Sequence, residues 1–108
     1  MADEESDEMV EAVEGLGRVD VRLLRFVHRH DRVEDGEFVF NPRVVGSNIG
    51  EDNDYVSKRS RRLEAANVFH RPQKGEYHLT DLGRRLCSND LSVEEIGKIE
   101  DALAEYDR

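Results

Sequence analysis

The sequence predicts an α+β fold that is mostly α: a winged helix-turn-helix with a small β-hairpin wing and an extra C-terminal helix. Three observations predict it. Residues 54–80 read as a basic helix, DYVSKRSRRL, that runs directly into a two-stranded hairpin around Pro72-Gln73-Lys74-Gly75. Before it, two short helical stretches are separated by a tight turn opened by Gly50. Near the end, Ser92-Val93-Glu94-Glu95 forms a capping box that starts one more helix. A length of 108 residues allows one domain with terminal extensions. These are an acidic N-terminal tail, partly helical, over 1–15, a winged-helix domain over 16–90, and a C-terminal helix over 91–108.

Taken in order, residues 1–15 hold seven acids and no Lys or Arg, the composition of a solvated tail. Met9, Val10, Val13 and Leu16 nevertheless share one helical face, which predicts a short helix over 9–16. Asp20 is expected to N-cap a helix over about 21–31, with Leu23, Leu24, Val27 and His30 as its apolar stripe and Phe26 alongside. Arg22, Arg25 and Arg29 lie elsewhere on that helix. Phe38-Val39-Phe40 reads as a single strand joining the wing sheet. Asn41-Pro42 is an N-cap followed by proline at the first helical position. The helix it opens runs to about Asn48, with Val44, Val45 and Ile49 facing inward and Gly50 as its C-cap.

The next helix covers about 55–66 and is capped by Asn53 or Asp54. Val56, Ser60, Leu63 and Ala66 or Asn67 follow the core rhythm, and Asn67 also suits a left-handed C-cap. Tyr55, Ser57, Lys58, Arg61, Arg62 and Ala65 are left facing outward, while Arg59 leans towards the domain. Val68–Arg71 and Glu76–Leu79 pair as the wing, with Tyr77 and Leu79 inward. Thr80 or Asp81 starts a helix through Leu82 and Leu86. The last helix carries a seam of Ile96, Ile99, Leu103 and Tyr106, which either folds back or pairs with a second copy.

Charge frames the function. The formal net charge is −9, and 38% of residues are charged. Within 54–80, Lys58, Arg59, Arg61, Arg62, Arg71 and Lys74 outnumber Asp54, Glu64 and Glu76. A positive island on an acidic protein points to a polyanion partner. Lys occurs only at 58, 74 and 98, and the acid excess is the pattern of halophilic archaeal proteins, whose surfaces high salt screens. That reading predicts a flat salt dependence of binding. No long apolar run or signal-peptide pattern is present, and Cys87 stands alone, so a cytoplasmic protein is expected, with no membrane partner.

The stretches IGEDNDYVSKRSRRLEAANV and KGEYHLTDLGRRL, followed by a short helical tail, resemble the haloarchaeal winged-helix regulators akin to the repressor of halobacterial phage phi-H. Ile49-Gly50 matches the close of the second helix in that pattern. Tyr55, Val56 and Ser57 match the opening of the recognition helix, and Gly75, Tyr77, Leu79, Thr80 and Gly83 match the wing motif. The similarity covers roughly residues 20–88. Asn67 replaces the usual glycine, and Leu86-Cys87 an aromatic-leucine pair. The resemblance implies a transcriptional regulator.

On this reading the DNA-binding candidates are Asn53, Tyr55, Ser57, Lys58, Arg61 and Arg62 towards base edges and phosphates, with Arg71, Gln73 and Lys74 on the backbone beside the wing. Ile96, Ile99, Leu103 and Tyr106 are the dimerisation candidates for a homodimer gripping two half-sites of double-stranded DNA. The acidic turn Glu51-Asp52-Asn53-Asp54 favours the alternative, a winged-helix protein–protein interaction module that does not bind DNA by itself. His28 and His30 are two apart on a helix, and no Cys pair exists, so no metal site is expected. There is no nucleophile elbow, phosphate loop or H-E-x-x-H, so neither enzyme chemistry nor a cofactor is expected. No ligand-pocket motif is evident.

Overall fold

Capping chemistry sets most element boundaries in the computed structural model, which describes residues 7–108. The elements are α1 (Glu8–Ala12), α2 (Arg18–Val33), α3 (Pro42–Ile49), α4 (Asn53–Ala65), β1 (Phe69–Gln73), β2 (Glu76–Leu79), α5 (Asp81–Cys87) and α6 (Val93–Tyr106). Asn41 caps α3, its side chain accepting from the Arg43 N–H at 2.8 Å. Thr80 caps α5 through the Gly83 N–H at 2.9 Å. Ser92 and Glu95 form the expected reciprocal capping box on α6. Each such cap is worth about 0.5–2 kcal/mol. Gly50 (φ 75°) and Asn67 (φ 66°) adopt the left-handed conformation after α3 and α4. This mostly α architecture with one antiparallel hairpin is the predicted winged helix-turn-helix.

Several local expectations are corrected. Asp20 does not cap α2. The helix starts at Arg18, and Asp20 sits in its first turn, 1% exposed. Its carboxylate accepts the Gly17 N–H at 2.8 Å and the Arg59 Nε–H at 2.9 Å. The α4 cap is Asp52, which accepts from the Tyr55 N–H, rather than Asn53 or Asp54. Val45 is buried as expected and Ile49 is half-buried, but Val44 points outward, and Gly46 takes the inward place because the first turn of α4 packs directly on it. On α2, His28 is buried, whereas His30 is half-buried and stacked on Phe26 with ring centroids 4.2 Å apart. The Phe38–Phe40 strand shrinks to one bridge, Phe40 with Tyr77, closed by hydrogen bonds of 2.8 and 2.9 Å. Proline follows at residue 42, so the segment turns into α3 before it can pair further.

The wing pairs Phe69 with Leu79, His70 with His78 and Gln73 with Glu76. Its register slips between His70 and Gln73, where β1 carries one extra residue. Pro72 lies in that slip, and having no N–H it loses nothing by leaving the ladder. Phe69, Tyr77 and Leu79 turn inward, and Leu23, Leu24 and Val27 of α2, Val56 and Leu63 of α4, and Ile99 and Leu103 of α6 complete one core. Burying such a side chain contributes roughly 1.5–3 kcal/mol. Val10 and Val13 join this core, so α1 is packed onto the domain, and the part of the expected tail at residues 1–6 lies outside the described residues.

Two buried acids of α2 fasten the layers. Asp20 pairs with Arg59 of α4, and Asp31 accepts from Arg84 Nε of α5 at 2.8 Å. Both arginines are only partly exposed, so these are desolvated, hydrogen-bonded pairs that fix orientation and cannot lose one partner cheaply.

Candidate nucleic-acid interface

The close approach of α3 to α4 builds the site. A Cβ on Gly46 would stand 3.0 Å from Asn53 Oδ1 and 3.3 Å from Val56 Cβ, so glycine lets the first turn of α4 rest on α3. Ser47 Oγ then donates to Asn53 Oδ1 at 3.1 Å, locking that turn. At the other end of α3, Gly75 at the wing tip lies 3.9 Å from Asn41 Nδ2, measured from where its Cβ would be. The start of α3 and the tip of the hairpin are therefore neighbours.

The exposed ridge of α4 runs through Asp54, Lys58, Arg61 and Ala65, spaced 4-3-4 along the helix. Tyr55 flanks it at 43% exposure, with the Arg59 guanidinium 5.6 Å from its ring centroid. Asn53 and Ser57 are half-buried at the ridge margin. On the wing, Arg71, Gln73 and Lys74 are all exposed. Arg71 lies 3.6 Å from Glu64 and 5.9 Å from the Tyr77 ring centroid, and Gln73 donates to Glu76 at 2.7 Å. Burial on the inner face of β2 raises the Tyr77 phenol above its ordinary range. His70 and His78 face each other across the strands, centroids 5.1 Å apart.

Arg62 departs from the expected outward set. It is 6% exposed, donating to both carboxylate oxygens of Asp107 and, at 2.8 Å, to the Gly15 carbonyl. Four residues after Lys58 and one helical turn beyond Arg59, it falls on the flank where α6 closes against α4. Hydrogen bonding to Asp107 raises the Arg62 pKa and lowers that of Asp107. The dimerisation candidates also divide. Ile99 and Leu103 are buried in the chain's own core, Ile96 is half-buried, and Tyr106 is 46% exposed.

The structure adds Arg43, which sequence reasoning passed over. It is exposed in the first turn of α3 and bonds Asp54 at 2.5 Å, lowering the Asp54 pKa. The signal was its place two residues after the Asn41 cap, at the positive end of a helix beside the wing. The acidic turn is also answered residue by residue. Arg18 and Arg22 share Glu51, the N-cap role occupies Asp52, and Arg43 pairs with Asp54. Of the three carboxylates Glu51 is largely buried against its arginines, whereas Asp52 and Asp54 remain exposed.

No helix of the described residues is long and apolar enough to cross a membrane. No curated protein and no solved structure matches the chain. A family model described as a winged helix-turn-helix phage repressor matches residues 9–99, from α1 into α6. A match over that much of the chain, on a fold with the corresponding helix-turn-helix and hairpin, shows that the protein belongs to the winged helix-turn-helix phage repressor family.

Proposed function

We propose that the protein is a sequence-specific DNA-binding transcriptional regulator, acting as a repressor, that reads the major groove with α4 and the flanking backbone with its wing. The observation that carries this is the joint exposure of Lys58 and Arg61 on the α4 ridge with Lys74 and Arg71 on the adjoining hairpin. Arg61 suits a bidentate grip on guanine, and Tyr55 suits a phosphate or a thymine methyl. Arg43 and Lys74 bracket the place where α3 meets the wing tip and suit phosphates. Arg62 holds the fold and has no part in the contact.

The same reading has a homodimer on two half-sites and a halophilic, archaeal, cytoplasmic setting. Its support is the acid excess together with the exposed Tyr106 and half-buried Ile96 left on α6. Sedimentation velocity in high salt should give twice the chain mass of 12.4 kDa.

The deciding experiment is fluorescence anisotropy on the DNA upstream of its own gene, in high-potassium buffer. Saturable, sequence-selective binding that the Lys58→Ala/Arg61→Ala variant loses is expected. A folded protein that binds neither that DNA nor any member of a random pool would instead be a protein-interaction module.

A further inference from the structure

A carboxylate heads the basic ridge of α4. Asp54, Lys58 and Arg61 fall on one line of the helix, and the Asp54 side chain is 71% exposed. An acid in a first helical turn suits the helix dipole. Beside a phosphate the same acid is repelled, so on a face that meets a polyanion it needs a partner of another kind.

Asp54 differs from the other acids of the turn. Glu51 is 13% exposed and held by Arg18 and Arg22. Asp52 precedes the helix and caps it, its Oδ2 accepting the Tyr55 N–H. Asp54 lies within the helix, and its Oδ1 accepts from Arg43 Nη1. Its Oδ2 has no hydrogen-bond partner among the described residues. The hydrogen bond to Arg43, the charge of Arg43 and then that of Lys58 lower the Asp54 pKa. The side chain is therefore an ionised acceptor with one oxygen uncommitted.

Arg43 fixes where that acceptor stands. It comes from α3, so its bond to Asp54 spans the two helices of the helix-turn-helix. Arg43 is itself exposed, and the N–H groups of its fork not given to Asp54 can meet a phosphate. A phosphate on Arg43 would set the depth of Asp54 in the groove.

We propose that Asp54 is a specificity-determining residue that selects cytosine in the operator, its Oδ2 accepting the N4 amino group in the major groove, an inference that rests on α4 as the groove-reading helix. Base chemistry narrows the choice. Guanine and thymine present only acceptors there, and only cytosine and adenine present an amino donor. Adenine sets its N7 acceptor beside that donor, and a carboxylate, which can only accept, is repelled by it. Cytosine offers the donor alone on its own edge. The acid thus weakens binding to backbone and strengthens binding to one base, which sharpens selectivity.

The test uses the full chain and a duplex library of random sequence, selected in high-potassium buffer and sequenced, with Asp54→Ala and Asp54→Asn beside it. The unmodified chain should enrich sites in which one C·G pair depends on Asp54. Replacing that pair in the enriched duplex should weaken binding about 5- to 150-fold, the range for one mismatched base pair. In Asp54→Ala the same replacement should be nearly neutral while the rest of the site is still read. Its binding to random duplex should tighten, because a negative charge has left the face. Asp54→Asn, which keeps the shape, should prefer adenine at that position, since a carboxamide bonds both N7 and N6.

Thermal melts on each variant separate a contact from a structural role, which would move the melting temperature and leave the base preference in place. Base preferences unchanged in folded Asp54→Ala would overturn the proposal, whether its affinity rises or falls at every sequence alike, and would leave the DNA-reading function standing. A folded unmodified chain that enriches no sequence would overturn both.

Discussion

Arg62 and Asp107 hold each other in a fork, Nε donating to one carboxylate oxygen at 2.8 Å and Nη2 to the other at 2.7 Å. The pair ties the last turns of the helix-turn-helix to the end of α6, and Arg62 adds the Gly15 carbonyl from the α1–α2 connection. Three segments far apart in sequence therefore meet on one guanidinium. This predicts a separation of phenotypes among the basic residues of α4. Lys58→Ala and Arg61→Ala should each lower operator affinity roughly tenfold, within the range for a lost phosphate or base contact, and leave the melting temperature nearly unchanged. Arg62→Ala should do the reverse, lowering the melting temperature while the folded protein keeps its affinity. Paired thermal melts and anisotropy titrations on the three variants check this, and a loss of affinity in folded Arg62→Ala would return that residue to the interface.

Acid should release the same fork. The bond to Arg62 lowers the Asp107 pKa, and the bond to Arg85 lowers that of Glu95. A carboxylate with a depressed folded pKa contributes stability above its unfolded value, and that contribution is lost as pH falls through the folded value. In that window the unfolded chain binds more protons, so stability rises with pH. The melting temperature should therefore be flat near neutrality and fall below about pH 4, where free carboxylates titrate. Asp107→Asn should be less stable at pH 6 and show a shallower acid limb. An acid limb identical to that of the unmodified chain would mean that other carboxylates carry the transition.

Gly83, in the first turn of α5, packs directly on the wing strands. A Cβ there would collide with the backbone carbonyl of Val68 and stand 2.8 Å from Leu79 Cδ1. Neither neighbour can move freely, since Val68 and Leu79 are fully buried and the Val68 carbonyl also accepts from Thr80. Gly83→Ala should cost roughly 1–3 kcal/mol or more, the range for overpacking a filled site. Chemical denaturation measures it. A cost below about 0.5 kcal/mol, the level of an ordinary surface change, would show that α5 can slide on the wing.

The legible parts of this fold are those decided by neighbours in sequence. Asn41, Thr80 and Ser92 cap helices because their side chains reach a backbone N–H two or three residues on. Gly50 and Asn67 follow from backbone freedom, and the inward turn of Tyr77 and Leu79 from strand alternation. Periodicity also placed Val56, Ser60 and Leu63 in the core, and of its two choices for the last position Ala66 is buried and Asn67 exposed. It could not say what covers the flank of α4, because the partners of Arg59 and Arg62 lie 39 and 45 residues away. Asp20 was read as a cap for the same reason, its arginine being visible only in three dimensions. The wing strands and ridge were legible, whereas Arg43 needed the approach of α3 to the hairpin tip.

Ser60 supplies a test of the core itself. It is fully buried on the inner face of α4, and its hydroxyl finds no hydrogen-bond partner among the described residues. An unsatisfied buried hydroxyl costs about 1–3 kcal/mol in desolvation. Alanine removes it, leaves a void of only one heavy atom, and is the better helix former by about 0.5 kcal/mol. Against this stands the loss of the contacts that the oxygen makes with its packed neighbours, worth only about 0.1–0.2 kcal/mol per atom pair. Ser60→Ala should therefore stabilise the domain by about 1 kcal/mol, a rise in melting temperature of about 4–8 °C for a domain near this size. Because Ser60 faces the core and not the exposed ridge, operator affinity should not move with it. A fall in melting temperature would show that the hydroxyl is hydrogen-bonded in solution, through a buried water or a shifted carbonyl, and that the inner face of α4 is more polar than its packing implies.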